Sequence, residues 1–334
     1  MLPRGCGTPF QPAGPDGASP FFSAELVPAL GDPYNHAATL VELDDGALLA
    51  AWAAGSGEAA ADSRIAAARL SPGATAWDAP RVLADAPGLG DANPVLFASD
   101  GGYVRLLRAV TIGQTLCTST LLSSESSDGG ATFGDERVAL PAVCTLLKNR
   151  PARLGPNHWL LPAYVQGVFA AWFFESIDDG ANWLPAGAPI LTLPNNLQPA
   201  VARRADGTLF ALLRSADGAG FTWQAEACHP AAWRLSPRTD LPNPGSGLDL
   251  IRLSSGHFMA AYNDSPTERT PLVVALSADE GRSWSSPKTI ESGPGPYSYP
   301  TLLEARDGTI HCVYSYLQQQ IKHAAFNRAW VESG

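Results

Sequence analysis

The sequence predicts an all-β protein: a six-bladed β-propeller of four-stranded antiparallel blades, its ring closed by an N-terminal strand that joins the last blade. Three observations carry this expectation. The 334 residues include 32 Gly and 29 Pro with only 16% charged side chains, a composition of turns and apolar strands that argues against coiled coils and helical solenoids. One pattern, S-x-D-x-G-x-(T/S/N)-(W/F), occurs three times, ending at Phe133, Trp183 and Trp284, and two degenerate copies end at Trp77 and Trp233. These aromatic ends are 56, 50, 50 and 51 residues apart, the length of one propeller blade. Six tight turns form a second series: Asp45-Gly46, Asp100-Gly101, Gly155-Pro156-Asn157, Asp206-Gly207, Ser255-Gly256 and Asp307-Gly308.

Taken in order, residues 1–20 lack an apolar pattern and are expected to be flexible, and residues 21–331 form one propeller domain. The apolar stretch 21–30 supplies a strand. Each later repeat then reads strand, tight turn, strand, strand, Asp-containing turn, strand, as in ATLVEL-DDG-ALLAAW and TLLEARDG-TIHCVY, where β-favouring runs flank an Asp-Gly hairpin turn. Six hairpin turns but five aromatic-ended turns leave the last repeat, 299–331, one strand short. The 21–30 strand completes it and removes the free sheet edges that an open ring would expose. Asp128, Asp178 and Asp279 are read as architectural, because a carboxylate accepting backbone N–H bonds beside a glycine already accounts for them.

The formal net charge is −10 with an isoelectric point near 5.0, a poor match for nucleic acid. Among the cations, 19 Arg outnumber the 3 Lys (Lys148, Lys288 and Lys322), and the guanidinium fork suits carboxylate ligands. The five Cys, at 6, 117, 144, 228 and 312, show no zinc spacing, and neither a zinc site nor a disulfide scaffold is expected. No apolar signal region opens the chain and no run of 18 apolar residues occurs, which predicts a chain without a membrane span or visible export signal, cytoplasmic by default. The sequence carries no expectation of oligomeric state.

The Asp-containing repeat, with NHAATLVELDDG, LPNPGSGLDLIRL, PLVVALSADEGRSW and YSYPTLLEARDG, resembles the sialidase (neuraminidase) superfamily over nearly the whole chain from residue 21. In such a ring the innermost strands line the axial channel and their first residues meet at one face. Counting back nine or ten residues from the glycine of each Asp-Gly turn brings His36, Asp91 and Ala92, Gln198, Ser246 and Gly247, and Tyr299 to comparable positions, with Lys148 to Arg150 nearest in the third blade. Asp91, Asn93, Arg150 and Asp249 are candidate substrate contacts at or beside these positions.

The resemblance implies three Arg for a substrate carboxylate, a Tyr nucleophile paired with Glu, and an Asp acid/base. It places the nucleophile at Tyr299 and two of the arginines at Arg214 and Arg269. His36 stands where the family carries its first Arg, and Gln198 where it carries the Glu. The loop GSGEAAADSR offers Glu58 and Asp62 for the general acid, with Asp62 preferred. The implied activity is exo-hydrolysis of a terminal acidic sugar, sialic acid or a related ulosonic or uronic acid, in an acidic glycan or glycoconjugate, with no metal or organic cofactor. Gln198 cannot take a proton, so two alternatives stand beside hydrolysis: a glycan-binding propeller without chemistry, and a uronate lyase using Tyr299 and His36.

Overall fold

A computed structural model describes residues 19–140, 142–191, 195–216, 218–236 and 238–333. Residues 1–18, most of the segment expected to be flexible, lie outside it, as does Cys6. Six antiparallel blades form the expected propeller; five are four-stranded, and in the third both Thr145–Leu147 and Ala152–Gly155 pair with His158–Val165, giving five strands. Their innermost strands are Tyr34–Glu42, Gly90–Ala98, Thr145–Leu147, Asn196–Arg203, Asp249–Arg252 and Tyr297–Glu304. Phe22–Val27 is the outer strand of the sixth blade and runs antiparallel to Gln320–Phe326, from Phe22 opposite Phe326 to Val27 opposite Ile321.

The core lies between the blades. Six buried apolar clusters each draw on two neighbouring blades, for example Val95 and Leu107 of the second with Leu146 and Tyr164 from the third. The Asp-containing turns build these seams. In the third blade Ser176 Oγ donates to Asp178 at 2.7 Å, Gly180 N donates back to Ser176 Oγ at 2.8 Å, and Asn182 N donates to Asp178 at 2.9 Å. Gly180 is required twice over. Its φ is +80°, and a Cβ there would come within 2.7 Å of the Phe97 ring on the preceding blade. The motif's last aromatic crosses the seam as well: Trp183 meets Phe97 edge-on, and Trp233 stacks on Phe173 at 4.1 Å.

The closing seam has further ties. The short helix Arg328–Glu332 is capped by Asn327, whose side chain accepts from Trp330 N and donates to Ser19 O, and Trp330 stacks on Phe22 at 4.5 Å. Inside the same blade His311 Nδ1 and His323 Nε2 lie 2.9 Å apart, with Glu25 of the N-terminal strand 3.6 Å from His323.

One expectation is corrected. Cys117 and Cys144 form a disulfide, linking the third strand of blade two to the lead-in of blade three. The pairing was invisible because the partners sit in different repeats, 27 residues apart, and meet only when the neighbouring second and third blades pack. Cys312 is a buried free thiol. No helix among the described residues is long and apolar enough to cross a membrane.

Candidate functional site

The inner strands begin with a repeated irregularity. Ladder register shifts between His36 and Thr39, Ala92 and Val95, Leu197 and Ala200, and Ser298 and Thr301. Within each bulge one non-glycine residue has a left-handed backbone: Ala37 (φ 55°), Asn93 (46°), Gln198 (47°) and Tyr299 (56°). A bulge adds one residue to a strand and re-aims its side chain, here into the channel. The spacing is constant: each of these residues lies nine before a left-handed turn glycine, Gly46, Gly102, Gly207 and Gly308. The same count from Gly256 reaches Gly247.

The comparison of positions made from sequence is therefore corrected in two blades. The residue equivalent to Tyr299 is Ala37 rather than His36, and Asn93 rather than Asp91 or Ala92, because the second-blade turn pivots on Gly102.

These residues form a floor. Tyr299 OH accepts from Arg214 Nη1 at 2.9 Å and from Gln198 Nε2 at 3.1 Å. Arg214 also donates to Gln198 Oε1 at 3.2 Å, and Gln198 Nε2 and Asn93 Nδ2 each donate to Tyr164 OH at 3.3 Å. Arg214 reaches in from the second strand of blade four, where it pairs with Leu197 across the ladder. Arg269 comes from a loop of blade five. Its guanidinium lies 5.8 Å from the centre of the Tyr299 ring and donates to Gly245 O at 3.1 Å. Gly247 permits the close approach: a Cβ would stand 3.2 Å from both Gln198 Oε1 and Tyr299 Cγ.

His36, although one residue off the bulge position, joins the same floor. Its ring centre is 4.3 Å from that of Tyr299. The side chain is 3% exposed and its Nδ1 has no hydrogen-bond partner in the protein. Burial, then the charges of Arg269, Arg214 and Lys148, push its pKa down to about 3. The imidazole is thus neutral at working pH and a feeble base. Lys148 lies beneath, donating to Asn149 Oδ1 at 2.8 Å and to the Pro300 carbonyl that follows Tyr299, and burial lowers it to about 8 against the pull of Asp249.

The two candidate acids differ. Asp62 is on the surface and accepts from Ser56 N at 3.2 Å and Ser56 Oγ at 2.8 Å; those bonds, the side-chain one first, hold its carboxyl below the usual range, the wrong direction for a proton donor. Glu58, exposed on the same loop, has a charge that is felt at the hydroxyls of Tyr34 and Tyr164 and helps burial raise both. Of the two, Glu58 is the carboxylate that faces the tyrosines.

Three other candidates lie elsewhere. Asp91 is fully buried, accepts from Ala86 N at 2.9 Å and pairs with Arg108, which also grips Glu136 through two 2.7 Å bonds; it stitches blade two internally. Asp249 accepts from Leu250 N and Leu302 N, each at 2.8 Å, while Arg150 donates to Leu302 O. Both belong to the opposite mouth of the channel, a 1090 Å³ basin that also holds Arg203, Arg204, Arg252 and Arg306. The arginines of that cavity are already engaged, Arg203 by Leu154 O at 2.7 Å and Arg204 by Glu226 at 2.7 Å, for example. The Tyr299 side, where buried polar groups converge without full pairing, is the better-prepared ligand site. Tyr34 and Tyr164 complete it without any signal in the sequence, whereas Lys148 and Gly247 stand at positions reached by counting back from the turns.

A closed six-bladed ring with Asp-containing turns at its seams, and a tyrosine with two arginines at its axial floor, defines a propeller of the sialidase superfamily. Residues 46–312 match the BNR repeat-like domain, and the chain belongs to that family. Over 178 residues, 49% of this chain, it is 28% identical to a sialidase of Micromonospora viridifaciens, of which the match spans only 26%. Among solved structures it is similar to the Hadza microbial sialidase Hz136, with a TM-score of 0.77, 17% identity, and 90% and 67% of the two chains covered. It is also similar to the intramolecular trans-sialidase from Ruminococcus gnavus, with a TM-score of 0.76, 15% identity, and 91% and 96% covered. At these identities the structural likeness shows the fold alone.

Proposed function

We propose that the protein is an exo-acting glycoside hydrolase for a terminal acidic sugar, sialic acid or a related ulosonic or uronic acid. The observation that carries this reading is the Arg214–Tyr299–Gln198 cluster: a phenol oxygen receiving two N–H donors, one of them charged, with a second guanidinium beside its ring. Arg214 and Arg269 hold the substrate carboxylate. Tyr299 loses its proton to water and its oxygen bonds to the anomeric carbon as the glycosidic C–O bond breaks, while Glu58 gives its proton to the leaving oxygen. Water then adds at the anomeric carbon, Glu58 takes the water's proton, and the tyrosyl–sugar bond breaks to release the sugar and the Tyr299 phenolate, which regains its proton from solvent.

Gln198 makes the reaction slow rather than impossible. Gln198 cannot take a proton, and both hydrogen-bond partners of the Tyr299 hydroxyl are donors, so deprotonation has no positioned base. The same observation favours one second reading, a propeller that binds acidic glycans without turnover. The lyase alternative is disfavoured, since its base would be His36, whose pKa lies near 3.

Release of a fluorophore from an α-ketoside of N-acetylneuraminic acid or a related ulosonic acid, or from an aryl glucuronide, tests the proposal. Turnover that is lost in Tyr299→Phe supports it. Binding of these sugars without turnover leaves the second reading, and an unsaturated uronate product absorbing in the ultraviolet would restore the lyase.

A further inference from the structure

The face of the ring that carries Tyr299 has an uneven rim. Over blades two and three the chain passes through residues 109–124, 138–147 and 159–174 without one Asp, Glu, Lys, Arg or His, in a protein of 16% charged residues. Large apolar side chains stand out into solvent there: Ile112 is 63% exposed, Val143 71%, Val168 53% and Phe169 38%. All four lie at the site face: Ile112 ends the second strand of blade two, Val168 and Phe169 join the second and third strands of blade three, and Val143 leads into an inner strand.

Single exposed apolar residues are ordinary, but a contiguous uncharged group is not. The loops are also fixed to one another. The Cys117–Cys144 disulfide ties the hairpin after Ile112 to the segment holding Val143. Gly167 packs so closely on both sulfurs that a Cβ would sit 3.1 Å from each, and Gln166 N donates to Cys144 O at 2.9 Å. Ile112 N donates to Thr118 Oγ1 at 2.7 Å, and Asn196 N donates to Phe169 O at 2.9 Å. A braced apolar surface loses little conformational entropy when something settles on it.

The rim is continuous with the floor of the pocket. Tyr164 ends the strand that turns through Val168 and Phe169, and Asn196, bonded to Phe169, is two residues before Gln198. An exo-acting pocket holds one terminal sugar, and whatever that sugar is attached to must leave across such a rim. We propose that Ile112, Val143, Val168 and Phe169 form a subsite for an apolar aglycone, so that the substrate class is an acidic sugar linked to an alkyl, aryl or lipid group rather than to a further polar sugar. This inference rests on the hydrolase reading given above.

The test compares the octyl glycoside of the acidic sugar with its lactoside in the wild-type protein and in Ile112→Ser, Val143→Ser and their combination. The wild type turns over the octyl compound with at least about tenfold higher kcat/KM, mostly through KM, and the double variant erases that preference while its lactoside rate is unchanged. Equal rates on both compounds, or a preference that survives the double variant, overturns the subsite alone. Calorimetry with the free acidic sugar separates the two levels. If neither the free sugar nor either glycoside binds, the hydrolase reading fails and the subsite fails with it. Sedimentation with phosphatidylcholine vesicles that carry no acidic sugar is the remaining arm: binding there, lost in the double variant, would make the rim a lipid-docking surface and overturn the aglycone assignment.

Discussion

The amide of Gln198 donates to the phenol oxygen of Tyr299 across 3.1 Å, so this neighbour, like Arg214 at 2.9 Å, offers the reactive oxygen a proton rather than accepting one. Gln198→Glu supplies the missing acceptor in nearly the same volume. It is expected to raise kcat by about 10- to 100-fold, a typical gain from a positioned base. It should also create an acid limb in the pH–rate profile, since the new carboxylate works only when ionised. Steady-state kinetics from pH 4 to 8 check this, and an unchanged or lower kcat would mean that proton removal from Tyr299 is not limiting.

The loop between the second and third strands of blade one separates two carboxylates by role. Glu58→Gln should lower kcat by about 100-fold or more on substrates with poor leaving groups, and far less on aryl glycosides, whose leaving oxygen needs no proton. Asp62→Asn removes the acceptor for Ser56 N and Oγ and should change kcat no more than a few-fold. The reverse outcome would return the acid to Asp62.

Arg214 and Arg269 should fail differently. Arg214 bonds both Tyr299 and Gln198, so Arg214→Ala should depress kcat as well as raise KM, and Arg214→Lys should not rescue it because one ammonium cannot replace the planar fork. Arg269 touches the floor only through its distance to the Tyr299 ring, and Arg269→Ala should act chiefly on KM, by about 10- to 100-fold. Saturation kinetics distinguish the two patterns.

His36 should not govern the pH profile. With its pKa near 3, held there by burial and by Arg269, Arg214 and Lys148, it stays neutral from pH 5 upward. The nitrogen shifts of its ring, measured by NMR, should therefore not titrate between pH 5 and 8, and His36→Asn should leave the shape of the profile intact even where the rate falls. A titration step near 6 that disappears in His36→Asn would instead make it a proton carrier.

The closing seam sets a stability dependence. Burial, the leading cause for both, lowers His311 to about 4 and His323 to about 3, so between those values and the unfolded value near 6.5 the unfolded chain binds more protons than the folded one. Stability contributed by the neutral pair is complete above about pH 6.5 and is lost as pH falls toward 4 and 3, on the order of a few kcal/mol in all. Thermal unfolding followed from pH 7 to 4 should show Tm falling, and His323→Gln should flatten the slope. A Tm in the wild type that is flat over this window counts against the pair.

The ring was legible because its punctuation is local. A serine, an aspartate and a glycine within five residues fold the turn, and the aromatic that follows fills the seam, so the sequence spells each unit without reference to distant partners. Tyr299 and Gln198 were legible for the same reason, being a fixed count from a turn glycine. The count misfired at Asp91 because the exact pivot, Gly102 instead of Gly101, is set by backbone geometry that two consecutive glycines do not reveal, and at His36 because a count of nine or ten from Gly46 does not separate it from Ala37. Asp249 and Arg150 were misplaced along the channel axis: Asp249 opens an inner strand and Arg150 follows one, but both lie past the floor. Tyr164 and the Cys117–Cys144 bridge join the site region only through packing of neighbouring blades, and no spacing rule within one repeat reaches them.

Completion of the sixth blade has a temporal side. As the chain leaves the ribosome, residues 22–27 are among the first of the propeller to emerge, yet their partner, 320–326, is among the last. Tyr299 sits in that same sheet. The early strand therefore waits through the synthesis of five other blades with an unsatisfied edge, and the floor assembles only after nearly 300 residues have passed. Slow, late maturation of activity, with the nascent chain dependent on protection until then, follows from the way the ring is latched.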